Sequence, residues 1–230
     1  MRYRILFIVC TFALFCGGTV HATALSGTLN MSGNFSITSS SVSFSSPTNV
    51  SDQFTLSGGT GSFVALNTTT NDVNSISGAV GTLFPATVFV TFPSTTDPSL
   101  NLDMIAAGVD PPTACFLVPA SGQVCTPTSG LPHMPNLNNT SDSVSTASWV
   151  VSGVTSDGLS TWSAIFTVQV SEPYQTLLTE IAAGGTPTDT YSATVDVTPD
   201  VSPTPEPGTL VLFGSVVVLP ANLDSQGLVF

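Results

Sequence analysis

Ala147-Ser148-Trp149-Val150-Val151-Ser152-Gly153-Val154, a turn at Ser156-Asp157-Gly158, then Thr161-Trp162-Ser163-Ala164-Ile165-Phe166-Thr167-Val168-Gln169-Val170: this stretch decides the fold. Both runs are rich in β-branched and aromatic residues and alternate apolar with polar, the period of a half-buried strand. An Asp-Gly pair between two such runs marks a hairpin, because its turn needs positive φ.

The same grammar extends outward in both directions. Thr28 to Thr38 alternates through Phe35 and Ile37, and Val42 and Phe44 alternate with serines. Phe54 and Leu56 precede a Gly58-Gly59-Thr60-Gly61 turn, and Phe63 to Leu66 reads as the next strand. Thr87 to Phe92 is a strong strand bounded by Pro85 and Pro93, and Thr190 to Val197 puts Tyr191, Ala193, Val195 and Val197 on one face. Short strands with turn signals between them predict an all-β fold. The expected form is an antiparallel β-sandwich, jelly-roll or Ig-like. Phe35, Phe54, Phe63, Phe89, Trp149, Trp162 and Phe166 are its expected core; an exposed aromatic platform for a ligand is the sharper alternative.

One segment has a different period. Tyr174, Leu177, Leu178 and Ile181 fall at i, i+3, i+4 and i+7, so a short helix is expected near 172–183. Ser171 suits its N-cap, Glu172 and Pro173 its first turn, and Gly184 its C′ position. The Pro- and Asn-rich stretch from Pro127 to Asn139 reads as a long loop carrying His133.

The chain opens differently from its body. Arg2 and Arg4 precede an apolar run from Ile5 to Phe15, then Gly17-Gly18, then Ala22-Thr23-Ala24. That order is a secretory signal, with cleavage after Ala24 or after Ala22. The apolar run is shorter than the roughly 20 residues a spanning helix needs. Residues 1–24 are therefore assigned as signal peptide and 25–198 as the folded domain. Signal peptidase is the first partner this implies.

Cleavage after Ala24 removes both basic residues of the chain, Arg2 and Arg4, and leaves all 14 carboxylates. A body without Lys or Arg cannot neutralise phosphate, so nucleic acid and anionic lipid are excluded as partners. Of four cysteines only Cys115 and Cys125 survive cleavage. A Pro119-Ala120-Ser121-Gly122 turn between them folds the segment back as a hairpin, and in an oxidising compartment they are expected to form a disulfide. A thiol or metal pair is the rival, but ten residues apart is not zinc-ligand spacing.

Catalytic apparatus is not visible. His133 is the one imidazole left after cleavage, no Gly-x-Ser-x-Gly elbow occurs, and no lysine exists for a Schiff base or phosphate loop. No catalytic residue and no metal ligand is assigned, and no cofactor is expected. Calcium on Asp97, Asp103 and Asp110 is the one metal worth weighing, since oxygen ligands suit it, but no Asp-x-Asp-x-Asp-Gly loop is present.

Beyond Val197 the composition shifts. Thr198 to Pro205 is a stiff Thr/Pro linker. Residues 199–208 end in Pro205-Glu206-Pro207-Gly208, and 209–230 begin with the apolar Leu210 to Leu219. This ending resembles the C-terminal sorting signal of the PEP-CTERM proteins, exported bacterial proteins in which Pro-Glu-Pro precedes an apolar helix and a basic end. The resemblance maps onto Pro205, Glu206 and Pro207. It implies a Gram-negative host that makes extracellular polysaccharide, and an exosortase that recognises the motif and processes the tail. The chain departs from the pattern: the apolar run stops at Pro220, Asp224 follows and no arginine cluster closes the chain. The sorting tail is incomplete by that measure, and its membrane association is transient at most.

Together these readings predict an exported, non-enzymatic bacterial surface or extracellular-matrix protein. A carbohydrate-binding or adhesive module is the alternative, and a carboxylate-based glycoside hydrolase a more distant one.

Overall fold

A computed structural model of the protein describes residues 23–48, 50–66, 71–77, 83–93, 97–127 and 136–200. The described strands are β1 (Gly27–Ile37), β2 (Val42–Ser45), β3 (Gln53–Gly59), β4 (Asn71–Val73), β5 (Leu83–Thr91), β6 (Leu100–Ile105), β7 (Val124–Cys125), β8 (Asn136–Asn139), β9 (Ser145–Thr155), β10 (Ser160–Val170) and β11 (Thr188–Pro199). Among the described residues one α-helix, α1 (Tyr174–Ala182), joins β10 to β11, and 3₁₀ turns span Gly61–Leu66 and Pro112–Phe116.

The β9–β10 hairpin is an unbroken pairing of ten residue pairs, running from Thr161 opposite Val154 to Val170 opposite Ser145, a length matched by β1 against β11. Gly158 takes φ +69 in its turn, as the Asp-Gly signal requires. Asp157 Oδ1 accepts bonds from the Leu159 amide at 3.0 Å and the Thr155 hydroxyl at 2.5 Å, which fixes the reversal. Every second residue of both strands is buried.

Pairing then continues in one direction through β11, β1, β3, β4, β5 and β6, and β6 returns to β9. Because β9 also pairs with β10, the eight strands close into an antiparallel barrel. The fold is all-β with one short helix, as expected, but the pairing gives a closed barrel in place of a jelly-roll or Ig-like sandwich. Alternation fixes which face of a strand points inward; it does not say whether the two outermost strands meet.

β1 and β9 each change partner along their length, and the β3–β4 and β4–β5 ladders are short, two residue pairs each. β1 pairs with β3 through Leu29–Ser32 but with β2 through Asn34–Ile37. β9 likewise pairs with β6 through its second half and with β8 through Ser145–Ser148. At the β2/β8 end the sheet is thus continued outward by β2 on one side and by β8 and β7 on the other.

The interior is filled by aromatic side chains. Trp149 stacks on Phe166 with centroids 5.6 Å apart, Phe89 stacks on Trp162 at 5.9 Å, and Phe44 meets Phe89, Phe166 and Tyr191. All seven aromatics expected in the core are buried. An eight-stranded barrel is just wide enough to be filled this way by side chains.

Helix α1 buries Tyr174, Leu177, Leu178 and Ile181, the face read from the sequence, and packs beside β8 and the Pro112–Phe116 turn. Its N-cap is Pro173, not Ser171, and it has no side-chain cap of its own. Asn139 substitutes: its Oδ1 accepts the Tyr174 amide at 3.0 Å. Gly184 takes φ +84 past the last turn.

Other expectations are corrected. Phe63 to Leu66 lies in a 3₁₀ turn rather than a strand. Pro85 lies inside β5, where the register slips between Leu83 and Thr87 and Ala86 takes φ 43. Asn136–Asn139, read as the end of a loop, is strand β8. Cys115 and Cys125 are joined as a disulfide with Cα atoms 5.4 Å apart. They do not sit on the two arms of one hairpin: Cys115 lies in a 3₁₀ turn, and Cys125 lies in β7, which pairs with β8.

Candidate functional site

A polar cleft lies on the outside of the barrel. β1, β2 and β11 turn Phe35, Phe44 and Tyr191 inward, so their alternate residues face out. Asn34 stands between Thr190 of β11 and Ser45 of β2, and Ser45 bridges on to Ser51. One step along, Ser36 stands between Thr188 and Ser43. Cross-strand partners share a face, so these residues form two parallel rungs of hydroxyl and amide groups. Together with Asp52, Ser75 and Asp189 they line a cleft of about 640 Å³ at the β2/β8 end of the barrel.

Asp52 is held in place by its backbone. Its amide donates to the Phe44 carbonyl at 2.9 Å, and its own carbonyl accepts from the Val73 amide at 2.8 Å. The residue takes φ 59, a left-handed conformation that Asp tolerates better than most residues. Its carboxylate receives the Ser75 hydroxyl at 3.5 Å. On the other side Asp189 Oδ1 accepts the Thr190 amide at 2.8 Å, and the Asn34 amide group donates to the Ser46 carbonyl at 3.3 Å. Beneath the floor the Tyr191 hydroxyl is buried without a hydrogen-bond partner, and burial pushes its pKa well above the ordinary phenol value.

The cleft therefore offers seven hydroxyl side chains and two carboxylates, and its lining holds no Lys, Arg, His or Cys. Such a surface can accept and donate hydrogen bonds. Among the described residues lining it, no imidazole stands beside a serine.

Beside the cleft, an amide network ties the helix to the disulfide loop. Buried Asn139 donates to Gln175 Oε1 at 2.9 Å, and Gln175 donates to Gln123 Oε1 at 2.8 Å. Gln123 in turn donates to the Val118 carbonyl at 3.0 Å. The loop it braces exposes Phe116 and Val118 almost fully.

The residues singled out by sequence fall elsewhere. Asp103 lies in β6, Asp97 just before it and Asp110 just after it. Among the described residues no three His, Cys, Asp or Glu side chains group as metal ligands. Ala24 is half-buried, one residue before the buried Leu25. Ala22, His133, Pro205, Glu206 and Pro207 lie outside the described residues, as does the apolar run from Leu210. Sequence does not single out the cleft residues, because five separate stretches build the cleft and each reads locally as an ordinary polar strand face or turn.

The two ends of the described body meet. The Ser160 hydroxyl donates to the Leu25 carbonyl at 2.8 Å, and the Asp200 amide donates to the Leu159 carbonyl at 2.8 Å. Both lie at the end of the barrel opposite the cleft, whose lining starts at Asn34, seven residues along β1 from Gly27.

Fold and site together define a closed antiparallel β-barrel, held by a disulfide, with a polar cleft on its outer face. No protein-family profile, no curated protein and no solved structure matches the chain.

Proposed function

We propose that the chain is an exported, non-enzymatic surface or extracellular-matrix protein of a Gram-negative bacterium. The observation that carries this reading is the meeting of Leu25 and Asp200 at one end of the barrel. The N-terminal leader and the Pro-Glu-Pro tail then depart from the same pole, and signal peptidase and exosortase act there without disturbing the fold. The cleft is held at the far pole, turned away from any tether. The Cys115–Cys125 disulfide supports an oxidising compartment. The absence of Lys and Arg beyond Arg4 supports a partner that is not anionic.

Sorting is tested by substituting Glu206→Ala in the native host and fractionating the cells. The wild-type chain is expected at the outer surface or in the polysaccharide fraction, and the variant is expected to accumulate in an earlier compartment. Identical distribution of the two chains contradicts a sorting role for Pro205, Glu206 and Pro207. Recovery of the wild type from the cytoplasm contradicts export itself.

A further inference from the structure

We infer that the cleft between β11, β1, β2 and the Ser51-Asp52 turn is a binding site for a short stretch of uncharged oligosaccharide. The inference rests on the export reading, since such a glycan is met outside the cell. Three properties select the ligand class. The volume of about 640 Å³ lies within the range of small-molecule sites. An anionic ligand finds no cation in the lining. A purely apolar ligand would leave the seven hydroxyls and two carboxylates of the lining without partners.

What remains is a ligand rich in hydroxyl groups. Its hydroxyls donate to the Asp52 carboxylate, the stronger charge-assisted kind of bond, and exchange hydrogen bonds with Ser36, Ser45 and Thr190. Hydroxyls outnumber carboxylates in the lining by seven to two, which favours a sugar over a polyamine or a bare cation. The rungs lie on strands of a closed sheet, so the donors and acceptors are arranged before the ligand arrives, and little ordering cost is added on binding.

Asp52 separates a binding role from a structural one. At φ 59 a glycine is at least as comfortable as aspartate. Asp52→Gly is therefore expected to melt no lower than wild type while losing the carboxylate. Ser36→Val, on an outward strand position, is likewise expected to fold.

The test uses the full chain, exported to the periplasm of a bacterial host, purified and applied to an array of neutral, sialylated and sulfated oligosaccharides. The expected result is binding to neutral glycans that is indifferent to a chelator and to salt, and recovery of those glycans uncleaved. Asp52→Gly is expected to bind roughly tenfold or more weakly, since its bond is to a charged group, and Ser36→Val, which loses a neutral hydrogen bond, roughly twofold to tenfold more weakly. Binding to no glycan, binding abolished by chelator, binding confined to anionic glycans, or variants that bind like wild type would each overturn the inference. Export is read separately: a cytoplasmic chain that still binds neutral glycan counts against export alone, and a periplasmic chain that binds none counts against the cleft alone.

Discussion

Of the two glycines in the hairpin, Gly158 faces open space while Gly153 is tightly enclosed. A Cβ there would overlap the Asn101 carbonyl oxygen and come within 2.9 Å of the Trp162 indole nitrogen, which itself donates to that carbonyl at 2.9 Å. Gly153→Ala is expected to cost about 1–3 kcal/mol or more, as overpacking does, read as a lowered midpoint in urea. Tyr191 is the opposite case, a buried hydroxyl without a partner. Tyr191→Phe is expected to be neutral or to stabilise by about 1 kcal/mol near pH 7, because it removes an unsatisfied polar group. The two proteins should diverge in alkali. Burial raises the folded pKa of Tyr191 above the unfolded value of about 10, so stability is whole below pH 10 and falls as pH rises beyond it. Urea melts at pH 8 and pH 11 should show a larger loss for wild type than for Tyr191→Phe. Part of the loss should persist in the variant, since Tyr174 is also raised, first by burial and then by Asp110. Inward aromatics such as Trp149 and Phe166 are legible in sequence because alternation marks them. Gly153 and Asp52 are not, because their constraints come from Asn101, Phe44 and Val73, all distant along the chain.

At the scale of elements, the corner built from α1, β8 and the disulfide loop depends on each of its parts. Asn139→Ala removes the acceptor for the Tyr174 amide and the donor to Gln175, both in a buried setting. A loss of about 2–3 kcal/mol is expected, the sum of a cap and an orphaned amide, with helical signal lost before the barrel melts. Breaking the Cys115–Cys125 bridge with Cys115→Ser and Cys125→Ser together should cost about 3 kcal/mol on the chain-entropy model. A melting midpoint unmoved by the double substitution would contradict that role. The apolar face of α1 is readable from its 3.6-residue period. Its cap is not, since Ser171 has the right chemistry in the right place but the bond is made by Asn139, from another strand. β8 escapes for a related reason: Asn136-Leu137-Asn138-Asn139 has no β-branched residue, and its strand conformation comes from pairing with Ser145–Ser148 of β9. Phe63 to Leu66 misleads in the other direction, because four residues are too few to separate a strand from a 3₁₀ turn by period.

At the scale of the whole molecule, the deciding event is closure. Two β9 neighbours, β6 and β10, turn a strip of antiparallel strands into a barrel whose aromatic core fills it. The body then has two unlike poles. One gathers Leu25, Leu159 and Asp200; the other presents the cleft and the disulfide loop. The all-β class is legible from alternation, whereas closure is not, because it depends on which strands become neighbours. Charge adds a prediction at this scale. Removal of Arg2 and Arg4 leaves no tryptic site, so the exported protein should survive trypsin even after denaturation, while a leader-bearing chain is cut near its N-terminus. The central claim, export followed by removal of the leader, is tested most directly by the intact mass of the protein recovered from outside the cells of its host. The account predicts an N-terminus at Leu25 and a mass two hydrogens below that of the reduced chain, from the Cys115–Cys125 bridge. A mass that retains Met1 to Ala24, or that shows two free thiols at Cys115 and Cys125, would contradict it.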